Sequence, residues 1–282
     1  MLELTERDRE LLDLIAKAGI ITFEQAKKVF PSKQYYYHRV RKLRQNGYVK
    51  TEGGYIRLGR KGKSEVGLDK EFRPSDQTLD SWAQFGNICL ELSNWEIVSQ
   101  ARVRTFYNLG RDVLHMRGIV RHGRRDHLLY LLRKGGEKRV GLVKAELERL
   151  KSAVGLDSAV VFCDSPKTMQ AFGEDPCGMR ELMLLPYPYG ALVMNAYITP
   201  EYQDYLKKLM PGALTEQTFA DRETPGCYYA DFILNDLVKR ANLKAALPFL
   251  KKPVKIVCLP SQQELFERIF PGLGIVVAGP PV

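Results

Sequence analysis

The 282-residue chain has no run of about eighteen apolar residues, so a membrane-spanning helix is excluded. Its N-terminus, MLELTERDREL, is charged from the third residue and lacks the apolar core of a signal peptide. Cysteine is sparse and scattered, at Cys89, Cys163, Cys177, Cys227 and Cys258, with no CxxC pair. Neither a zinc ribbon nor a disulfide framework is therefore expected, and a reducing cytoplasm is the expected compartment. The GxxxxGK[ST], HExxH and GxSxG signatures are all missing, which removes P-loop ATPases, zincins and α/β-hydrolases. His115, His122 and His127 have no acidic or cysteine neighbour at metal-ligand spacing, so they read as surface or phosphate-contacting residues. No metal and no cofactor is expected.

What is present is uneven positive charge. The net charge is +10, from 43 Lys+Arg against 33 Asp+Glu. Residues 23–63 hold 12 basic and 2 acidic side chains, and residues 100–151 hold 14 and 5. Between them, residues 64–99 hold 2 basic and 7 acidic side chains. Two basic blocks on an otherwise mildly acidic chain point to a polyanionic partner.

The first block falls on a readable pattern. Thr5 is placed to cap a helix, with Asp8 in the capping-box position and Leu11, Leu12, Ile15 and Ala16 at helical spacing up to Gly19. Thr22 and Gln25 start a second short helix, whose apolar face is Ala26, Val29 and Phe30 and which Pro31 stops. Ser32 caps a third helix running to about Gln45. At 100° per residue Tyr36, Val40 and Leu43 share an arc of about 60° facing the core. Gln34, Tyr37, His38, Arg41, Lys42 and Gln45 take the other side, a mixture suited to base edges and phosphates. Tyr48 and Val49 open a strand, Gly53-Gly54 turn it, and Tyr55–Leu58 return with Ile56 and Leu58 inward and Arg57 outward. Three helices and a basic hairpin in about sixty residues predict a winged helix-turn-helix. Its expected DNA contacts are Lys33, Gln34, Tyr37, His38, Arg41, Lys42, Arg44, Gln45, Arg57, Arg60, Lys61 and Lys63.

After Phe72-Arg73-Pro74 the pattern restarts. Ser75 caps a helix with Leu79, Trp82, Cys89 and Leu92 on one side. Trp95–Val98 reads as a strand, then Met116–Arg121 and His127–Leu132 as two more around His122-Gly123-Arg124-Arg125. A helix from about Glu137 to Val154 and the apolar strand Ser158–Cys163 complete an α-β-β-β-α-β order.

The stretch LTERDRELLDLIAKAGIITFEQAKKVF, the helix ending RKLRQNGYV and the α-β-β-β-α-β block resemble the replication-relaxation proteins of bacterial plasmids and conjugative elements. The resemblance covers roughly residues 2–185 and implies DNA binding tied to plasmid replication or transfer, with a second domain of the PD-(D/E)xK nuclease fold. That fold holds magnesium on carboxylates beside a lysine. The places where those groups are expected read Met116-Arg117-Gly118 and Leu131-Leu132-Arg133-Lys134, with no carboxylate. Asp112 and Asp126 read as ordinary turn and surface acids. Arg117, Arg121, Arg124 and Arg125, with Arg133 and Lys134, are instead expected to neutralise phosphates.

In the last third, Pro166 opens a helix after Ser165, and Glu181–Leu185 reads as a strand. Val254–Leu259, Gln262–Phe270 and Gly274–Val277 give strand, helix, strand. The turns in CDSPKTMQAF and CLPSQQELFERIF are alike. Pro186-Tyr187-Pro188-Tyr189 reads as a packed loop.

The expectation is an α+β chain. A winged helix (1–72) precedes a degenerate nuclease-like αβββαβ domain (73–190) and an α/β extension (191–282), which is separate or continues that domain. The expected function is non-catalytic binding of double-stranded DNA at an origin of replication or transfer. Replication or relaxase proteins and a second copy of the chain are candidate partners. The alternatives are a transcriptional regulator with a dimerisation or ligand domain, a protein-recruiting replication factor, and an active endonuclease.

Overall fold

A computed structural model describes residues 2–68, 75, 78–110, 115–123, 125–133 and 135–279. The fold is mixed α+β. It divides into two compact units, Met1–Arg124 and Arg125–Val282. The restart expected at Phe72-Arg73-Pro74 lies outside the described residues.

In the first unit, α1 (Glu6–Ala18) is followed by β1 (Ile21–Thr22), α2 (Phe23–Lys27), α3 (Lys33–Gln45), β2 (Val49–Glu52), β3 (Tyr55–Leu58) and α4 (Arg60–Glu65). Local chemistry sets these boundaries. The Thr5 amide donates to Asp8 Oδ2 (2.8 Å) and the Asp8 amide to Thr5 Oγ1 (3.3 Å), and Thr22 and Gln25 repeat this reciprocal cap at α2. Ser32 accepts from the Tyr35 amide at the start of α3. Gly53 and Gly54, at φ 56° and 85°, turn the hairpin as its register requires. The three strands form an antiparallel sheet in the order β1-β3-β2. Helix α4 was not anticipated from the sequence. It lies so close to the Tyr48 carbonyl that a Cβ on Gly62 would come within 2.1 Å of that oxygen.

The same unit continues with α5 (Leu79–Glu91), β4 (Glu96–Ser99), α6 (Gln100–Phe106) and β5 (Met116–His122), with β4 and β5 antiparallel. Helix α5 joins the N-terminal helices through Gln25, whose amide donates to the Ala83 carbonyl (2.5 Å) and Asn87 Oδ1 (2.7 Å). Residues 2–68 therefore share a compact unit with α5.

The second unit runs β6 (Arg125–Leu132), a 3-10 turn, α7 (Val140–Val154), β7 (Ser158–Cys163), α8 (Pro166–Phe172), β8 (Glu181–Pro186), α9 (Tyr189–Tyr197) and α10 (Pro200–Leu209). Then come β9 (Ala213–Leu214), β10 (Arg222–Thr224), β11 (Cys227–Asp231), α11 (Leu237–Ala246), β12 (Val254–Cys258), α12 (Gln263–Ile269) and β13 (Gly274–Val277). Strands β6, β7 and β8 are parallel, and all six residues of β7 are buried, as befits a parallel strand covered on both faces. The C-terminal sheet has the order β13-β12-β11-β10-β9, parallel from β11 to β13 and antiparallel from β9 to β11. Phe232, Phe266 and Phe270 stack in its core, with ring centroids 5.1 to 6.5 Å apart.

Chain order repeats. Leaving out α6, the succession α5-β4-β5-β6-α7-β7-α8-β8 recurs as α10-β9-β10-β11-α11-β12-α12-β13. The ladders β4–β5 and β9–β10 are both antiparallel, and β6–β7–β8 and β11–β12–β13 are both parallel. The similar turns of CDSPKTMQAF and CLPSQQELFERIF stand at equivalent places, β7 to α8 and β12 to α12. Helix α6 is an addition to the α-β-β-β-α-β order read from the sequence. The Pro186–Tyr189 segment is not a packed loop: Pro186 ends β8, Tyr189 begins α9, and Pro186, Pro188 and Tyr189 are exposed while Tyr187 is half-buried.

Candidate nucleic-acid interface

Helix α3 buries Tyr36, Val40 and Leu43, the arc read from its period, and leaves Lys33, Gln34, Tyr37, His38, Arg41, Arg44 and Gln45 exposed. Lys42 is half-buried. No carboxylate stands anywhere on α3. Arg44 reaches Thr51 Oγ1 on β2 (3.3 Å), which ties the end of the helix to the hairpin. On the hairpin, Arg57 is engaged by Glu52 (2.5 Å) and must give up that carboxylate to contact a phosphate. Arg60 and Lys61 are exposed on α4 and Lys63 is half-buried. The Lys61 ammonium lies 5.9 Å from the Tyr48 ring centroid.

A contact the sequence reading missed fixes the pose of α3. Arg39 is buried and donates from Nε to Asp8 Oδ1 (3.1 Å), from Nη2 to Asp8 Oδ2, and from Nη2 to the Glu3 carbonyl (3.2 Å). Burial pushes the Asp8 carboxyl up, but hydrogen bonds from Arg39 and Thr5 outweigh it and hold the group below its ordinary value. The signal was in the sequence. Arg39 falls on the edge of the apolar arc, and a charge there demands a buried partner.

The second block is less available than expected. Arg117 is only 8% exposed; its guanidinium sits 4.0 Å from the Trp82 ring centroid and donates to Ser81 Oγ (2.5 Å). Arg117 therefore faces inward and is not open to a phosphate. Residues Met116–Val120 are all buried, so β5 is covered on both faces and offers no outward side there. Arg121 faces its register partner Glu96 (3.3 Å), and Arg125 lies 3.7 Å from Glu181. Arg124, Lys134 and Asp112 lie outside the described residues. Arg133 and Asp126 are half-buried.

His127 is turned inward as well. It is 3% exposed, not a surface residue, and its Nε2 pairs with Glu181 Oε2 at 2.8 Å. Burial raises the Glu181 carboxyl, and His127 with the Arg125 and Lys239 charges brings it below its usual value. His38 and His122 are exposed and His115 is half-buried. Among the described residues, no group of three or more His, Cys, Asp or Glu is placed to hold a metal. All five cysteines are buried and unbridged.

The second repeat does carry acids. Lys239 on α11 donates to both oxygens of Asp221 (2.8 and 3.0 Å) and to the Asp231 carbonyl (3.1 Å). The Asp231 amide donates to Asp221 Oδ2 (2.7 Å), and Tyr197 donates to Asp231 Oδ2 (2.8 Å). Lys239 pairs with the Asp221 carboxylate and meets Asp231 through its backbone carbonyl, so the arrangement reads as an internal ionic cluster. Burial, with the Asp221 charge, pushes the Asp231 carboxyl up to about 6. An acid whose folded value is raised binds more protons folded than unfolded between the two values, so stability falls as pH rises through that window. The stability of the native chain relative to Asp231→Asn is therefore expected to decline from about pH 4 to about pH 6 and level off above. Urea midpoints of the two proteins across that range check this. A difference that does not vary with pH would remove Asp231 as the titrating group.

Comparison of the chain with protein-family models, curated proteins and solved structures found no match. Among the described residues, no helix is long and apolar enough to cross a membrane.

Proposed function

We propose that the chain is a non-catalytic, sequence-preferring double-stranded DNA-binding protein of a bacterial plasmid or mobile element, acting at an origin of replication or transfer. The observation that carries the DNA-binding reading is the exposed face of α3. It presents Lys33, Arg41 and Arg44 beside Gln34, His38 and Gln45 without a carboxylate, on a helix pinned from behind by Arg39. Residues 2–68 are read as a winged helix-turn-helix, with α3 entering the major groove and the hairpin and α4 on the backbone. The plasmid or mobile-element setting rests on the resemblance of residues 2–185 to replication-relaxation proteins. In the nuclease-like reading of the following elements, the places expected to carry metal-binding acids read Met116-Arg117-Gly118 and Leu131-Leu132-Arg133-Lys134, with no carboxylate. At Asp221 the carboxylate is paired with Lys239. On this reading the chain binds DNA without cutting it.

Footprinting on the DNA flanking its own gene, followed by titration of variants, tests this. Arg41→Ala is expected to cost about 1–3 kcal/mol on the protected sequence and little on random duplex. Lys61→Ala should weaken every sequence alike and flatten the salt slope by about one. Equal losses from both variants on both DNAs would show that α3 does not read bases. Supercoiled plasmid should survive incubation with magnesium or manganese, and nicking abolished by Asp231→Asn would overturn the non-catalytic reading.

A further inference from the structure

The outer face of α3 is laid out in rows. At 100° per residue Gln34, His38, Arg41 and Gln45 fall within about 60° of one another, nearly opposite the buried arc of Tyr36, Val40 and Leu43. Lys33, Tyr37 and Arg44 fall within about 40° of one another, about a quarter-turn to one side. All seven side chains are exposed.

The two rows differ in what their side chains already do. Arg44 is held by Thr51 Oγ1 (3.3 Å), and the Tyr37 ring packs 5.0 Å from that of Tyr36. Gln34, His38, Arg41 and Gln45 have no side-chain hydrogen bond, ion pair or ring contact among the described residues. Their groups stand in line and unspent, on a helix that Arg39 pins to Asp8 from behind. The chemistry of that line suits base edges more than phosphates. A phosphate is met by a cation or a single donor, whereas the Gln34 amide sets a donor beside an acceptor, the pattern that N6 and N7 of adenine complete. The Arg41 fork matches O6 and N7 of guanine. Neutral His38 offers one donor and one acceptor and singles out no base. Gln34 and Arg41 are seven residues apart, about 10 Å along the axis, which spans about three base-pair steps at about 3.4 Å each.

We propose that α3 specifies a core of about four base pairs, in which Gln34 takes an adenine and Arg41 a guanine about three steps away. Lys33, Tyr37 and Arg44 hold the adjoining phosphates. Arg41 and Arg44, on one helix, thus have different tasks. The proposal rests on the DNA-binding reading and names the sequence that the reading leaves open, and the two can fail separately. In the test, the full-length protein and its variants each select from a duplex library with a randomised centre, and the enriched pools are sequenced. The native chain should enrich an adenine and a guanine at that spacing, and exchange of either base should weaken binding about five- to hundredfold. Gln34→Arg should turn the adenine into guanine and leave the other position as it is. Arg41→Gln should turn the guanine into adenine. Arg44→Gln should weaken every duplex alike and still select the native sequence. If Gln34→Arg and Arg41→Gln keep the native preferences, or Arg44→Gln changes them, the assignment of the rows is wrong while duplex binding stands. A native pool with a different spacing, or with no enriched sequence, would overturn it equally. If the native chain binds no duplex, the DNA-binding reading fails and the proposal with it.

Discussion

Arg39→Met is expected to destabilise the protein by about 3–5 kcal/mol, the cost of leaving a buried charge without its partner. Asp8 is fully buried, and with Arg39 gone its carboxylate keeps only the Thr5 hydrogen bonds. The double variant Asp8→Asn/Arg39→Met removes both charges. It should be more stable than the sum of the single losses implies, because paired groups couple by about 0.5–3 kcal/mol. The pH dependence has a fixed sign. The folded value of Asp8 is lowered, so the pair's contribution is complete above the ordinary carboxyl value of 3.8 and is lost as pH falls through the lower folded value. The gap between native and Arg39→Met midpoints should therefore close in acid. Because Arg39 projects from α3 while Asp8 belongs to the N-terminal turn of α1, the same variant should also lose discrimination between specific and random DNA. Unchanged urea midpoints, or a gap that widens in acid, would show that the pair does not hold the helix.

The second large effect concerns the basic block at 100–151. Replacing Arg121, Arg124 and Arg125 together by Ala is expected to flatten the salt dependence of DNA binding by nearly three, at roughly −0.9 for each phosphate no longer neutralised. The preference for the specific site should be unchanged, since phosphate contacts carry no sequence information directly. Full-length protein is the right reagent, because Gln25 joins the N-terminal helices to α5 and a truncation near residue 72 would expose that contact. Arg121 and Arg125 lie near Glu96 and Glu181, so each must give up a carboxylate to take a phosphate. Glu96→Gln should then tighten binding and steepen the slope. If the triple variant keeps the native slope, the arginines serve those carboxylates and the block does not touch DNA. The protein-recruiting and regulatory alternatives would then gain ground.

Local chemistry was legible without any tertiary information. The caps at Thr5, Thr22, Ser32 and Ser165, the buried arc Tyr36-Val40-Leu43 and the Gly53-Gly54 turn follow from interactions within four residues or from the helical period. Strands Ser158–Cys163 and Gly274–Val277 were bounded to the residue because each is a short apolar run between turn signals. Helices α9, α10 and α11 were not read at all, and α6 was missed because its seven residues bury little more than Gln100 and Val103. The fate of individual charges was decided elsewhere. Arg117 and His127 look like surface residues in a one-dimensional pattern, but their strands are covered on both faces, and each is engaged by a residue 36 or 54 positions away. Arg39 with Asp8, and Lys239 with Asp221, are likewise separated by 31 and 18 positions. Period and propensity act over one or two turns, and they fix which residues form an element and which face it buries. Whether a charged group on that element meets water, a phosphate or a buried counter-charge depends on desolvation by segments far away in the chain, and only the packed structure brings those segments together.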